Sequence, residues 1–342
     1  MNRNAECDDV DLLYVTDRDP GFRRRKRGKG FSFHREDGLL LKDPKHLSRI
    51  RQLGIPPAYR DVWICTRPNG HIQATGMDAA GRKQYIYHPG WESWRAGKKY
   101  DNLLKFSAVL PRIRRRARQG LQAEVGSLDY MLAALVTLID VTHIRVGNLR
   151  YAQLNKTFGA TTLLKRHVSL DDDTIMIRFR AKGGKRIQST LRHNRLHRIL
   201  NDISDLPGRQ LFVWIDEEGK CQPVDSGRLN AYLTESAGME GVTAKLFRTW
   251  AGSVLAFSAA LEAIEQQRAP TISEMVDAAA QELHNTRAVC RSSYIHPAII
   301  DLADDAKARD RAASIVNGDI KRSGELRVNE QRLALFLAAL DS

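Results

Sequence analysis

Cysteine is scarce in this sequence. There are four in 342 residues, Cys7, Cys65, Cys221 and Cys290, scattered and with no CxxC pair. A disulfide framework and a cysteine zinc site are therefore not expected, and a reducing compartment is. No apolar run approaches the roughly 18 residues of a membrane span. The opening stretch MNRNAECDDVDLLYV lacks a basic segment followed by an apolar one, so no secretory signal is expected. GxxxxGK[ST] is missing, which removes the usual warrant for ATP use. Internal repeats and low-complexity segments are missing too. Acidic residues are the minority charge: 40 Asp and Glu against 54 Lys and Arg, a net charge of +14 and a pI near 9.8. Such a balance favours an anionic partner, nucleic acid first and a membrane surface second.

The length suggests two domains or one large one. Composition changes near residue 96, giving an expected division at 1–96 and 97–342. The first part carries 18 basic and 12 acidic residues, the second 36 and 28. Residues 1–30 read as loosely structured, with FRRRKRGKG (22–30) as a solvated loop or an arm that reaches a phosphate backbone. Residues 31–34, 62–66, 71–75 and 84–88 are short apolar or aromatic stretches between turn formers, which predicts a small β domain. The clearest helix is predicted over 127–146, capped by Ser127 and ended by Gly147, with Arg145 in its last turn. In residues 171–191, Ile175, Ile177, Phe179 and Ala181 alternate with Met176, Arg178, Arg180 and Lys182. That is strand periodicity, and Gly183-Gly184 predicts a two-residue hairpin turn with Lys182 at the tip. Further helices are predicted over 243–259, 272–284, 286–294 and 325–340. The fold class expected is α+β: a small mainly β N-terminal domain and a larger mainly α C-terminal one containing a β-hairpin or meander.

Cutting a phosphodiester requires a nucleophile, cations for the charge on five-coordinate phosphorus, and a proton donor for the leaving oxygen. Arginine suits the second task because its planar fork stays charged and binds two oxygens. Four segments offer such groups: HIRVGNLRY with Arg145, FRAKGGKR with Lys182, KLFRTWAGS with Lys245 and Arg248, and HNTRAVCRSSYIHP with Tyr294. Each has a plain structural reading. Arginine at a helix end complements the dipole, charged residues are common in turns, basic helix faces are ordinary, and a tyrosine at a helix end is usually packed or on the surface. Lys245 and Arg248, three apart, are expected to share a helix face. His284 has no partner at ligand spacing, so no metal site is indicated. Cys290 reads as a small packing residue.

Taken together and in this order, Arg145, Lys182, Lys245-x-x-Arg248, Asn285 and Tyr294 resemble the catalytic constellation of type IB topoisomerases. GRKQYIYHPGW (81–91) resembles their N-terminal domain. The likeness is to the short bacterial and poxvirus-like form and covers nearly the whole chain. It implies a C-shaped clamp around duplex DNA and attack by Tyr294, leaving a 3′-phosphotyrosyl link and a free 5′-hydroxyl. It further implies Arg145 and Arg248 as transition-state cations, Lys182 as general acid, and Lys245 as an assisting group. DNA contacts are implied for Gln84, Tyr85 and Tyr87, and the strand face with Arg178 and Arg180 is cationic. No cofactor, metal or nucleotide is implied; the chain is expected to act as a monomer, cytoplasmic and nucleoid-associated. Many members of that family carry histidine nine residues before the tyrosine, where this chain has Asn285. Asparagine, as in bacterial members, still donates a hydrogen bond to a phosphate oxygen but brings no charge. For His284 to take that place, a helix would have to turn by about 100°. A tyrosine recombinase is the nearest rival, but recombinases show HxxR where this chain has Lys245-x-x-Arg248. A non-catalytic DNA-binding protein would explain the charge and RIRRRAR (112–118), yet would need neither Tyr294 nor Lys182.

Overall fold

The computed structural model describes residues 11–28, 30–317 and 325–340. Its Cα positions cluster into two compact units, Met1–Asp101 and Asn102–Ser342.

The first unit is built on one antiparallel sheet of five strands in the order β2-β1-β3-β4-β5. These are β1 (Gly21–Arg27), β2 (Gly30–His34), β3 (Arg60–Cys65), β4 (Ile72–Met77) and β5 (Lys83–Tyr87), with helix α1 (Pro44–Gln52) between β2 and β3. Phe22, Ile50, Val62, Ile64 and Ala74 form its main core. The stretch 21–27 departs from the loose arm expected. It is a full strand, paired with β2 along Arg23–Arg27 and with β3 along Gly21–Arg23. Phe22 anchors it in the core, and Arg24 is consumed inside the unit. Its guanidinium donates to the carbonyls of Ile55, Pro56 and Tyr59 and lies 4.2 Å over the Phe31 ring. Arg23, Arg25, Lys26 and Arg27 remain exposed. Residues 1–10 lie outside the described ones.

Helix α2 (Pro89–Gly120) runs on from the first unit into the second. The second unit continues with α3 (Leu128–Thr142), α4 (Leu149–Asn155) and a three-stranded antiparallel meander, β6 (Val168–Asp171), β7 (Thr174–Arg180) and β8 (Arg186–Arg192). Next come α5 (Asn194–Ser204), the two-stranded β9 (Val213–Ile215) and β10 (Cys221–Pro223), and α6 (Ser226–Ala237). The remaining helices are α7 (Ala244–Glu265), α8 (Ile272–Glu282), α9 (Arg287–Ser293), α10 (Pro297–Ile300), α11 (Ala306–Asn317) and α12 (Val328–Ala338). Both α3 and α7 are buried on most sides, as their apolar content requires.

Two local expectations need correction. The helix from Ser127 stops at Thr142, because His143 takes a left-handed conformation (φ 52°) while its N–H still bonds to the Ile139 carbonyl. Arg145 therefore lies in the loop beyond the helix. The β7–β8 turn spans three residues, Lys182 to Gly184, closed by Ala181 N–H on the Lys185 carbonyl at 2.7 Å. Gly183 and Gly184 both have positive φ, which is why glycines stand there.

Candidate active site

Tyr294 sits at a junction that its neighbours dictate. Thr286 caps α9 through its hydroxyl, and the Tyr294 N–H closes the helix on the Cys290 carbonyl at 2.9 Å. Three residues on, Pro297 has no N–H to offer a continuing helix and starts α10 instead. Buried Cys290, Ile295 and Ile299 hold the junction in place. From the other side, α7 comes close at Gly252. A Cβ there would stand 2.6 Å from the Tyr294 carbonyl oxygen and 3.0 Å from its Cβ. The tyrosine is 8% exposed.

Arg248 projects inward from α7 and is 4% exposed. Two of its N–H groups go to carbonyls at the ends of neighbouring helices: Nη1 to His143 and Nη2 to Leu283, the latter at 2.9 Å. Its guanidinium carbon lies 5.1 Å from the centre of the Tyr294 ring. Arg145 arrives from the loop after α3. That loop is held by Ala160 N–H on the Arg145 carbonyl at 2.8 Å and Thr161 N–H on the Val146 carbonyl at 2.7 Å. Arg145 Nη2 donates to Asn285 Oδ1 at 2.6 Å. Four of the six residues expected to act on a phosphodiester, Arg145, Arg248, Asn285 and Tyr294, are therefore brought together from three separate regions of the chain.

The electrostatics follow from that gathering. Burial alone pushes the Tyr294 phenol up, but the Arg248 and Arg145 guanidinium groups outweigh it and leave its pKa below the ordinary 10. Burial holds the Arg248 pKa below its usual value, with Tyr294 acting in the opposite direction. Two donors, Arg248 Nε and Asn285 Nδ2, are sealed from solvent and have no hydrogen-bond partner among the described residues. Unmet N–H groups beside a phenol whose pKa is lowered by two guanidinium groups suit an oxyanion such as a phosphodiester. Burial raises the Cys290 thiol, so it is not set up as a nucleophile, in keeping with a packing role.

Of His284 and Asn285, it is Asn285 that bonds to Arg145. Helix α8 ends at Glu282, so neither residue is helical and a change of helix register does not arise. His284 takes φ 49°, and this left-handed step leaves Asn285 as the residue that meets Arg145. Burial lowers the His284 pKa.

Other expected residues stand apart from this cluster. Lys245 is exposed on the first turn of α7, while Arg248 is buried, so the two do not share an environment. Lys182, Arg178 and Arg180 are exposed on the β7–β8 hairpin, and no hydrogen bond or ion pair ties Lys182 to the Tyr294 cluster among the described residues. The hairpin tip nevertheless adjoins the site: the charge of Lys185, on the tip's other side, acts on His284 and Cys290. Sequence reading missed Lys185, although FRAKGGKR placed a second lysine there. It also missed Gly252 and the two carbonyls that hold Arg248, for which no motif gives a signal. In the first unit, Tyr85 and Tyr87 point to one face of β5 with rings stacked 6.0 Å apart, Tyr85 exposed. Gln84 is on the opposite face of the strand and donates to Asp78 at 3.0 Å. Among the described residues no group of His, Cys, Asp and Glu is arranged to hold a metal ion, and no helix is long and apolar enough to cross a membrane.

Comparison with known proteins agrees with this chemistry. The model for the catalytic core of eukaryotic DNA topoisomerase I matches residues 90–315, and that for the N-terminal domain of bacterial DNA topoisomerase IB matches residues 30–78. DNA topoisomerase 1B of Acanthamoeba polyphaga mimivirus is 31% identical over 287 residues, 80% of this chain and 85% of the viral protein. DNA topoisomerase 1B of Vaccinia virus (strain Copenhagen) is 25% identical over 177 residues, 51% of this chain and 53% of that one. Among solved structures, a XerH site-specific recombinase bound to difH substrate aligns over 60% of this chain and 52% of its own. The TM-score is 0.36 and the identity 16%, too low to argue from. Matched by the catalytic-core model over most of its length and 31% identical to a DNA topoisomerase 1B across 80% of it, this chain belongs to the type IB DNA topoisomerases.

Proposed function

We propose that Tyr294 is the nucleophile of a strand-cleavage and religation reaction by which this enzyme relaxes supercoiled duplex DNA. The observation that carries the assignment is the Tyr294 phenol between Arg248 and Arg145, with a pKa drawn below its ordinary value despite burial. The phenolate attacks phosphorus, forming a 3′-phosphotyrosyl ester as the bond to the 5′-oxygen breaks. Arg248 and Arg145 stabilise the added negative charge, and Asn285 Nδ2 donates to a non-bridging oxygen. Lys182 delivers a proton to the departing 5′-oxygen once the hairpin tip closes over bound DNA, and Lys245 assists from the first turn of α7. The 5′-hydroxyl reverses the reaction after the cut strand swivels. The phosphoryl bond is exchanged rather than hydrolysed, so the cycle consumes no nucleotide. Tyrosine, arginine, asparagine and lysine side chains supply every role, so no metal is needed.

The same reading has both units engaging duplex DNA as a monomeric clamp, in the cytoplasm on nucleoid DNA. It is supported by the family's N-terminal domain match and by the exposed basic and aromatic groups on each unit, Tyr85 and Arg25 on one, Arg178 and Lys182 on the other. The test is relaxation of a negatively supercoiled plasmid with EDTA present and ATP omitted. Wild type is expected to relax it and Tyr294→Phe to bind DNA without relaxing it. Relaxation by the phenylalanine enzyme would remove Tyr294 from the chemistry. Binding without relaxation by both would favour a non-catalytic DNA-binding protein.

A further inference from the structure

Helix α12 (Val328–Ala338) begins in a buried ion cluster that includes the turn before it. Arg114, on α2, has a side chain only 10% exposed, and all five of its N–H groups are used. Nε and Nη2 donate to the two oxygens of Asp140 at 3.0 and 2.8 Å. Nη1 and Nη2 donate to the two oxygens of Glu330 at 2.7 and 2.8 Å, and Nη1 also reaches the Glu325 carbonyl at 2.7 Å. Burial works against the guanidinium charge, but Glu330 and Asp140 reverse this and raise its pKa. Glu330, 3% exposed, also accepts from Trp250 Nε1 at 3.3 Å and from the Arg327 N–H at 2.7 Å. The Arg327 guanidinium stands 3.5 Å from Asp140 and 3.9 Å from Glu330. Two cations thus face two carboxylates.

A buried ion cluster is a poor device for stability alone, since apolar residues of similar volume do as well or better. It is a good device for direction, because a guanidinium with every donor bound fixes the elements that bind it. Among the elements fixed here are α3, which leads to one of the two carbonyls that hold Arg248, and α7, which carries Arg248. Asp140 lies one turn before His143, whose carbonyl accepts from Arg248 Nη1. Trp250 lies two residues after Arg248 on α7. We propose that the Arg114–Asp140–Glu330 cluster positions Arg248 for the transition state, with Glu330 of α12 as the positioning residue that joins α7 to the end of α3. The proposal rests on the reading of Arg248 as a transition-state cation.

The experiment is single-turnover cleavage by the full-length enzyme, on a duplex whose departing strand is too short to rejoin, with duplex affinity and thermal stability measured in parallel. The variants are Glu330→Gln, Arg248→Ala, the double variant, and Trp250→Phe, which keeps an aromatic ring but removes the N–H that Glu330 accepts together with part of the buried indole. Glu330→Gln is expected to slow cleavage by about tenfold with duplex affinity held within about twofold, and to add less than about twofold when Arg248 is already alanine. Trp250→Phe is expected to slow cleavage by about threefold and, because the cavity it leaves lowers thermal stability, is read well below its own melting temperature, which keeps the test open should Glu330→Gln fold poorly. A slow Arg248→Ala enzyme in which Glu330→Gln repeats its full loss overturns the proposal alone. So does a Trp250→Phe enzyme that cleaves at the wild-type rate. An Arg248→Ala enzyme that cleaves like wild type overturns the reading of the site, and this proposal with it.

Discussion

A phenol packed among apolar atoms holds its proton, and at Tyr294 two guanidinium groups reverse that preference. The free enzyme is therefore expected to contain one tyrosine that ionises below pH 10, visible as a tyrosinate absorbance step missing from Tyr294→Phe. Arg248→Gln removes the larger of the two opposing attractions, disfavours the phenolate, and should move that step to higher pH. A step that stays in place would mean Arg248 does not act on the phenol. Lys182 poses a different problem, because the structure leaves it exposed at the hairpin tip rather than at Tyr294. Its role as proton donor is a claim about the leaving group, and the leaving group can be changed. Lys182→Ala should slow cleavage of an ordinary duplex by about 100-fold or more and have little effect when the departing 5′-oxygen is sulfur, which needs no proton to leave. Equal slowing on both substrates would leave Lys182 as a DNA contact only.

At the scale of elements, the site depends on how closely α7 and the segment after α9 approach, and Gly252 permits that approach. Gly252→Ala puts a methyl group 2.6 Å from the Tyr294 carbonyl and 3.0 Å from a Leu283 methyl. Overpacking of this kind costs about 1–3 kcal/mol. Backbone atoms must yield, so the tyrosine should shift: cleavage is expected to fall more than tenfold while duplex affinity changes little. Near-normal cleavage would mean that the junction tolerates displacement. This constraint is illegible in the sequence, because a glycine in a helix reads only as a weak helix former. Other elements were legible for physical reasons. Ile175, Ile177 and Phe179 alternate cleanly because one face of β7 is buried, and Thr271 with Glu274 forms the capping box that starts α8. Strand β1 was hidden because its run of arginines looks solvated, and only Phe22 and the carbonyl partners of Arg24 explain its place. Helix α5 went unread although Leu196, Ile199, Leu200 and Ile203 share a face, because it follows β8 without a glycine or proline and is capped by His193 rather than a preferred residue. In the site, it was the resemblance to a family's ordered motifs that pointed to Arg145, Arg248, Asn285 and Tyr294. The left-handed turns at His143 and His284, which bring Arg145 and Asn285 together, leave no mark that periodicity can detect.

At the scale of the whole molecule, charge is shared evenly. Each of the two units, residues 1–101 and 102–342, carries a formal net charge of +7. Were DNA bound by the catalytic unit alone, the basic strand of the first unit would have no electrostatic purpose in binding. If both units contact the backbone, each must release counterions, and the steepness of the salt dependence counts the phosphate contacts of both. Arg25 on β1 and Arg178 on β7 are exposed representatives of the two surfaces. Arg25→Ala and Arg178→Ala are each expected to weaken duplex binding similarly across DNA sequences and to reduce the slope of log affinity against log salt by about 1. The double variant should lose about 2, because contacts on separate units share no partners and their effects add. Plasmid relaxation by Arg25→Ala should recover at low salt, since that substitution removes attraction and leaves the Tyr294 cluster untouched. A slope that responds to Arg178 but not to Arg25 would confine DNA to the catalytic unit and sink the two-unit clamp, while leaving the chemistry at Tyr294 as described.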